Sequence, residues 1–425
     1  MDNLTGGIGR AFASRNYRIY WSAHLATILG VWVNRIAIQW VTWELTESFA
    51  WLGIIGAANM VPTLFFGPIA GATADRYGHR IQLQISTMAG GLAALAMAIL
   101  VMTDLMTIEL LLVLALLAGT SRAFNVAARG ALVHAVVPRE LLSAAIGVSS
   151  ATFHGGNFFG MVLGGTIIAT LGAGVALIVY AIGAAIAVFL LSLLRIDESQ
   201  WENAGPRKFE LIADLRAGFT YTFGHRGIRL IMSVSAIVAL FVLPYLEMLA
   251  GVADEVFARR ADGLAVLASA TGLGAMTGGL WLARRGRTEG LTRILLGASG
   301  LGALGVAAFA LTEVFWLALL PMFVIGIAVV SAQTASMSLI QNAVAQEFRA
   351  RVFSINAVVA VGFPALGAIG IGWVANMTGV QIPLLGASLI GLVAWAILSK
   401  QVLEIAAEVE NQGPSSAGPA AARGA

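Results

Sequence analysis

The sequence predicts an all-α membrane protein with twelve transmembrane helices in two pseudo-symmetric six-helix bundles. Three observations predict it. Of 425 residues, 59% are apolar and only 11% charged, whereas a soluble domain carries about 25% charged residues. Apolar runs of membrane-crossing length recur twelve times along the chain. The two halves also repeat at a fixed offset of 207 residues.

So few charges cannot cover a globular surface, which argues against a soluble enzyme, a nucleic-acid binder and a disordered protein. The net charge is only +3. The two lysines, Lys208 and Lys400, precede Phe209 and Gln401, so neither completes a Walker A sequence. Cysteine is absent, so there is no disulfide or thiolate metal site. No cofactor and no metal are expected. Met1 to Arg18 lacks the short apolar core of a secretory signal.

Charged residues and Gly/Pro punctuation divide the apolar runs. The first six predicted spans are 17–43, 50–74, 81–103, 107–135, 141–170 and 174–195. The second six are 228–251, 263–283, 291–311, 314–342, 352–377 and 382–403. No ten-residue alternation of a membrane barrel is present. Several runs exceed 25 residues, so tilts or breaks are expected.

The basic residues orient these spans. With the amino terminus in the cytoplasm, 21 of the 25 Lys+Arg fall on the inner side or its loops, Arg129 among them. Only Arg259 and Arg260 fall outside, and Arg35 and Arg122 lie within spans. The positive-inside rule then places both termini in the cytoplasm of a bacterial plasma membrane protein.

The longest inner loop separates the halves. Phe209, Ile212, Leu215, Phe219 and Phe223 recur there at helical spacing, as in an interfacial amphipathic helix. The expected domains are a six-helix bundle over 1–197, a linker over 198–224 and a second bundle over 225–405. Residues 406–425 are expected to be a disordered tail. Across the linker, Gly71 matches Gly278, Arg80 matches Arg287 and Glu140 matches Glu347. Gly155, Gly160, Gly165 and Gly172 match Gly362, Gly367, Gly372 and Gly379.

The loop after span two contains Gly71, Asp75, Arg76, Gly78 and Arg80. Glycine at 71 admits close helix approach and glycine at 78 a tight turn. Asp75 suits a helix amino terminus or an arginine. In span five, Gly156, Gly160, Gly164 and Gly165 form a small-residue stripe suited to tight helix packing. The loop resembles the signature Gly-x-x-x-Asp-Arg-x-Gly-x-Arg/Lys of the major facilitator superfamily. The stripe resembles that family's Gly-x-x-x-Gly-Pro-x-x-Gly-Gly antiporter motif, with Met161 replacing proline. In the second half Leu282 stands where Asp75 stands in the first. With Leu45 to Ser48, Phe66 to Gly71 and Val137 to Ala144, the resemblance narrows to the branch that includes enterobactin and macrolide exporters.

The resemblance implies a cavity lined by spans one, four, seven and ten, and a conformational gate at the Gly71–Arg80 loop. Charge within a span is costly and marks candidate sites. Arg35 and Gln39 in span one, Arg122 and Asn125 in span four and Glu247 in span seven are the leading pathway candidates. Trp32, Phe124, Tyr245, Gln333 and Asn356 are further lining candidates. His24 and His154 could titrate near neutral pH. Together these imply a secondary transporter, not an enzyme. It would export a drug-like or siderophore-like molecule by proton antiport, with Glu247 exchanging the proton and Arg35 as its charge partner. It would act as a monomer in the lipid bilayer. An importer or uniporter of a small polar solute, or a non-transporting sensor or assembly factor, are the alternatives.

Overall fold

The structure, a computed structural model, describes residues 6–195, 219–345 and 348–411. The described residues form helices joined by short turns, with no strand among them. Among the described residues, eleven helices are long and apolar enough to cross a membrane. The twelfth, Leu142–Leu171, has 30 residues and is long enough, but His154, Asn157 and its glycines dilute its apolar character. The helices follow the order and approximate limits expected of twelve spans.

Local chemistry sets their ends. Ser14 opens span one, Arg15–Thr46, by accepting the Tyr17 N–H at 3.4 Å. Ser48 opens span two, Phe49–Tyr77, in the same way with Trp51. Thr107 accepts from Leu110 at the start of span four, Ile108–Val136. Each hydroxyl satisfies a backbone donor that the first helical turn leaves free. Glycines with positive φ end other spans: Gly172 (88°) closes span five and Gly379 (79°) closes span eleven. These two are repeat partners, so the internal repeat extends to matched backbone turns.

Span seven, Arg226–Val256, is not a regular helix. Val238–Val242 is a π-helical stretch, a turn follows at Leu243–Pro244, and a second π stretch occupies Val252–Val256. Pro244 lacks the N–H that would continue the ladder. Span eleven carries a π stretch at Val358–Gly362 just before Pro364.

The chain forms two compact units. One comprises residues up to Arg207 together with Glu247–Gly272; the other comprises Lys208–Leu246 and Leu273 onward. The first unit thus takes in the C-terminal segment of span seven and the start of span eight. Within it, span one packs on spans five and six, and span three (His79–Met102) packs on spans four and six. The second unit repeats this pattern six spans later. Span nine (Leu291–Ala310) packs on spans ten and twelve, and span seven packs on spans eleven and twelve.

The glycine stripe of span five explains one of these contacts. A Cβ at Gly156 would sit 2.7 Å from Ile28 Cγ2, and one at Gly160 would sit 2.7 Å from Trp32 Cβ. Gly164 faces the Val33 backbone, and Gly165 faces Ala265. Absent side chains therefore let spans one and five meet backbone to backbone, the packing that stabilises helices in lipid. Gly367, the repeat partner of Gly160, lies against Leu240 and Pro244 in the second unit.

Three expectations change. Residues 406–411, assigned to a disordered tail, form a helix. The Glu410 carboxylate accepts the N–H groups of Gly290 (2.6 Å) and Thr292 (2.9 Å) at the start of span nine. Free backbone donors there attract an anion, and the short helix is anchored through it. Gly71 has nothing within 4 Å of a built Cβ, so no helix packs closely on it. The partner of Asp75 is His79, 3.5 Å away, rather than an arginine or a helix start. Most of the linker (its residues up to Gly218), Glu347 and residues 412–425 lie outside the described residues.

Candidate functional site

A stripe on span one organises the candidate site. Arg35, Gln39 and Trp43 are spaced four apart, so they lie one above another on one helix face. Each reaches the segment that begins at Glu247. Arg35 Nη2 pairs with Glu247 Oε1. Gln39 Nε2 donates to Glu247 Oε2 at 3.0 Å. The Trp43 indole N–H donates to Asp254 Oδ2 at 2.9 Å. Both side chains of the ion pair are largely buried, Arg35 at 20% exposed and Glu247 at 7%. The guanidinium also lies over the Trp32 ring, 5.5 Å from its centroid, which adds cation–π attraction. Gly56 leaves room for the carboxylate: a Cβ there would be 2.8 Å from Glu247 Oε2.

Trp32, Arg35, Gln39, Gly56 and Glu247 form part of the wall of a cavity of about 240 Å³ inside the first unit. Spans one, two, three, four, five and six contribute to the wall, and Glu247 closes it. Span four supplies Arg122, Asn125 and Arg129. Their spacing of three and then four places them on one face. Asn125 Nδ2 donates to Thr87 Oγ1 at 2.9 Å, which ties span four to span three. Arg122 interacts electrostatically with Arg35, Arg129, Glu247 and Tyr180. The described residues give its guanidinium no hydrogen bond or ion pair.

The structure therefore brings together Arg35, Gln39, Glu247, Arg122, Asn125 and Trp32. The other lining candidates lie elsewhere. Phe124 points away from the cavity, lines a separate groove with residues of spans two and three, and rests near Phe66. Two positions along a helix from Arg122, it is about 200° round the axis. Tyr245 is buried in the second unit. Gln333 is exposed and Asn356 half-buried in that same unit. His24 is buried and stacks on Tyr20, and His154 packs edge-on against Phe153.

Sequence reasoning missed Arg129, Trp43 and Asp254. The charge count takes Arg129 as an inner-side anchor although the expected span four, 107–135, contains it, and the helix Ile108–Val136 carries it on the face of Arg122 and Asn125. The signal that could have found it is its spacing from Arg122 and Asn125. Trp43 and Asp254 sit where aromatics and acids serve as interface anchors, so only the four-residue repeat from Arg35 distinguishes Trp43.

At the loop after span two, Gly78 takes φ 91° and starts span three. Arg80 Nη1 donates to the Leu194 carbonyl at 3.0 Å, fixing the end of span six. Arg76 lies over the ring of Tyr77. Asp75 is exposed.

Comparison with known proteins places this geometry in context. The profile of the family described as transmembrane secretion effector matches residues 10–421. The multidrug efflux pump Tap of Mycobacterium tuberculosis and that of Mycobacterium bovis are each 26% identical over 235 residues. That match covers 52% of this chain and 54% of theirs, so the chain spans about half the length of the curated relatives it matches. The crystal structure of nucleoside transporter NupG superposes with a TM-score of 0.66 at 16% identity, covering 92% of this chain and 98% of NupG. A bacterial homologue of the human lysosomal transporter Spinster superposes with a TM-score of 0.65 at 16% identity, covering 93% and 96%. At such identities these structures speak for the fold alone.

Proposed function

Because the chain belongs to the transmembrane secretion effector family of the major facilitator superfamily, we propose that it exports a small organic molecule by alternating access, driven by proton antiport. The observation that carries this reading is the buried Arg35–Glu247 pair on the wall of a cavity. A carboxylate within a span is a natural proton carrier. Similarity to pumps named for multidrug efflux supports the outward direction.

The proposed coupling is physical. Ionised Glu247 holds Arg35 and Gln39 and so ties residues 247–272 to span one. A proton on Glu247 removes the charge that holds Arg35 and loosens this tie. The substrate occupies the cavity with the tie made; the proton favours it unmade. Each ligand thus disfavours the state that the other needs, which is what antiport requires. The Gly71–Arg80 loop acts as the gate, both termini lie in the cytoplasm, and the protein resides in the plasma membrane.

The test uses proteoliposomes that contain a pH-sensitive dye. Addition of a transported compound from a drug panel is expected to release protons from the wild-type protein's acidified vesicles. Glu247→Gln is expected to abolish that release. Unchanged coupling in the variant overturns the role of Glu247, and transport with no proton movement overturns antiport. Accumulation measured in inverted against right-side-out vesicles decides between export and import.

A further inference from the structure

The cavity wall carries three arginines, Arg35, Arg122 and Arg129, against a single carboxylate, Glu247. The ion pair neutralises one cation and leaves a surplus of two positive charges. Such a surplus is costly within a membrane-spanning unit unless a counter-charge enters. Arg122 lies on the wall, is exposed to the cavity, and has no hydrogen bond or ion pair with the described residues. Arg129 is half-buried two turns further along the same face. A further donor is unspent beside them: the Trp32 indole N–H is buried with no hydrogen-bond partner among the described residues. The remaining wall is apolar or neutral, with Ile28, Ile55 and Phe153 among its residues. A cavity of about 240 Å³ lies just below the usual range for drug-sized ligands. It suits a charged group with an attached ring rather than a large molecule.

We infer that the substrate carries an anionic group, a carboxylate, sulfonate or phosphate, and that Arg122 binds it with Arg129 alongside. This rests on the reading of the cavity as the substrate site. A guanidinium offers a planar fork of donors that matches an oxyanion. The apolar part of the substrate lies against Ile28, Ile55 and Phe153. Arg35 keeps its place on Glu247, so anion binding and the ion pair coexist in one state. A cationic substrate would meet two uncompensated positive charges.

The experiment is a binding measurement on the purified full-length protein in detergent, by calorimetry, so it needs neither transport nor a proton gradient. Three probes share one ring system: 2-naphthalenesulfonate (anion), 2-naphthalenemethanol (neutral) and 2-naphthylmethylammonium (cation). The anion is expected to bind about tenfold or more tightly than the other two, the scale of a charge-assisted hydrogen bond. Arg122→Gln is expected to remove that preference and leave the neutral probe unaffected. Arg122→Lys is expected to keep most of it. Equal binding of the three probes by the wild type overturns the proposal, and this comparison needs no variant to fold. Unchanged sulfonate affinity in Arg122→Gln overturns the role of Arg122, as does equal loss of all three probes. Failure of the proton-flux assay above leaves this result standing, and failure here leaves that assay standing.

Discussion

Arg35 and Glu247, 212 residues apart in the chain, meet as an ion pair inside one compact unit. The pair joins the middle of span one to the segment just beyond the break in span seven. Gln39 completes the carboxylate's partners, so neither oxygen of Glu247 is left without a donor. A buried pair of this kind is a weak source of stability when intact and a large liability when halved.

Substitutions at the pair follow from that asymmetry. Arg35→Met and Glu247→Leu are each expected to destabilise the purified protein by about 3–5 kcal/mol, because each strands a buried charge. The double variant is expected to recover most of the loss. Thermal unfolding of the four proteins in one detergent measures the cycle. Additive losses in the double variant would show that the two residues do not act as a pair.

Span five offers an internally controlled test. Gly160→Ala places a methyl 2.7 Å from Trp32 Cβ and 2.9 Å from the Leu29 carbonyl. The expected cost is about 1–3 kcal/mol of overpacking. Gly155→Ala, one residue before the stripe begins, meets nothing within 4 Å and is expected to be neutral. Equal unfolding temperatures for the two variants would contradict the close contact of spans one and five.

Glu410 gives a prediction in pH. Burial raises its carboxyl. The N–H groups of Gly290 and Thr292, the Thr292 side chain and Arg285 outweigh burial and hold it below its usual range. A depressed folded-state value means stabilisation that is present above the unfolded value, about 4.3, and lost as pH falls through the folded one. Glu410→Gln is expected to lower stability modestly at pH 7, by about 0.5 kcal/mol after solvent screening. The gap from wild type should close in acid. A gap that persists unchanged at the lowest pH tolerated would assign the effect to packing instead.

Orientation is testable with fusions. A green fluorescent protein joined after Ala425 is expected to fluoresce and alkaline phosphatase at the same point to be inactive, as a cytoplasmic end requires. The reverse pattern would overturn the reading of the charge distribution.

The fold was legible because lipid imposes long apolar runs and Gly/Pro punctuation, both visible in the chain. Ser48, Thr107 and Gly172 could be expected to lie near the ends of the helices they now bound. The candidate site was legible in part. Arg35, Gln39, Arg122 and Glu247 stood out because charge and amide groups are scarce within spans, and the structure gathers them. Phe124 and Tyr245 did not follow, because aromatic residues are plentiful in membranes and composition carries no direction. Helical phase would have separated Phe124 from Arg122. Arg129 was hidden by the same rule that set the topology, which reads arginines near span ends as inner-side anchors rather than lining groups. The units divide not only at the loop between the repeats but also inside spans seven and eight. A division of that kind depends on contacts between distant segments, which sequence repeats do not report.

The contacts of Arg35, Gln39 and Trp43 form three rungs about 6 Å apart along span one. Rungs in series need not break together. Two of the three converge on the one carboxylate of Glu247, so a change there removes two contacts at once and leaves the third. Under the proton coupling proposed above, a proton would act on the two rungs at Glu247 and leave the Trp43–Asp254 bond in place.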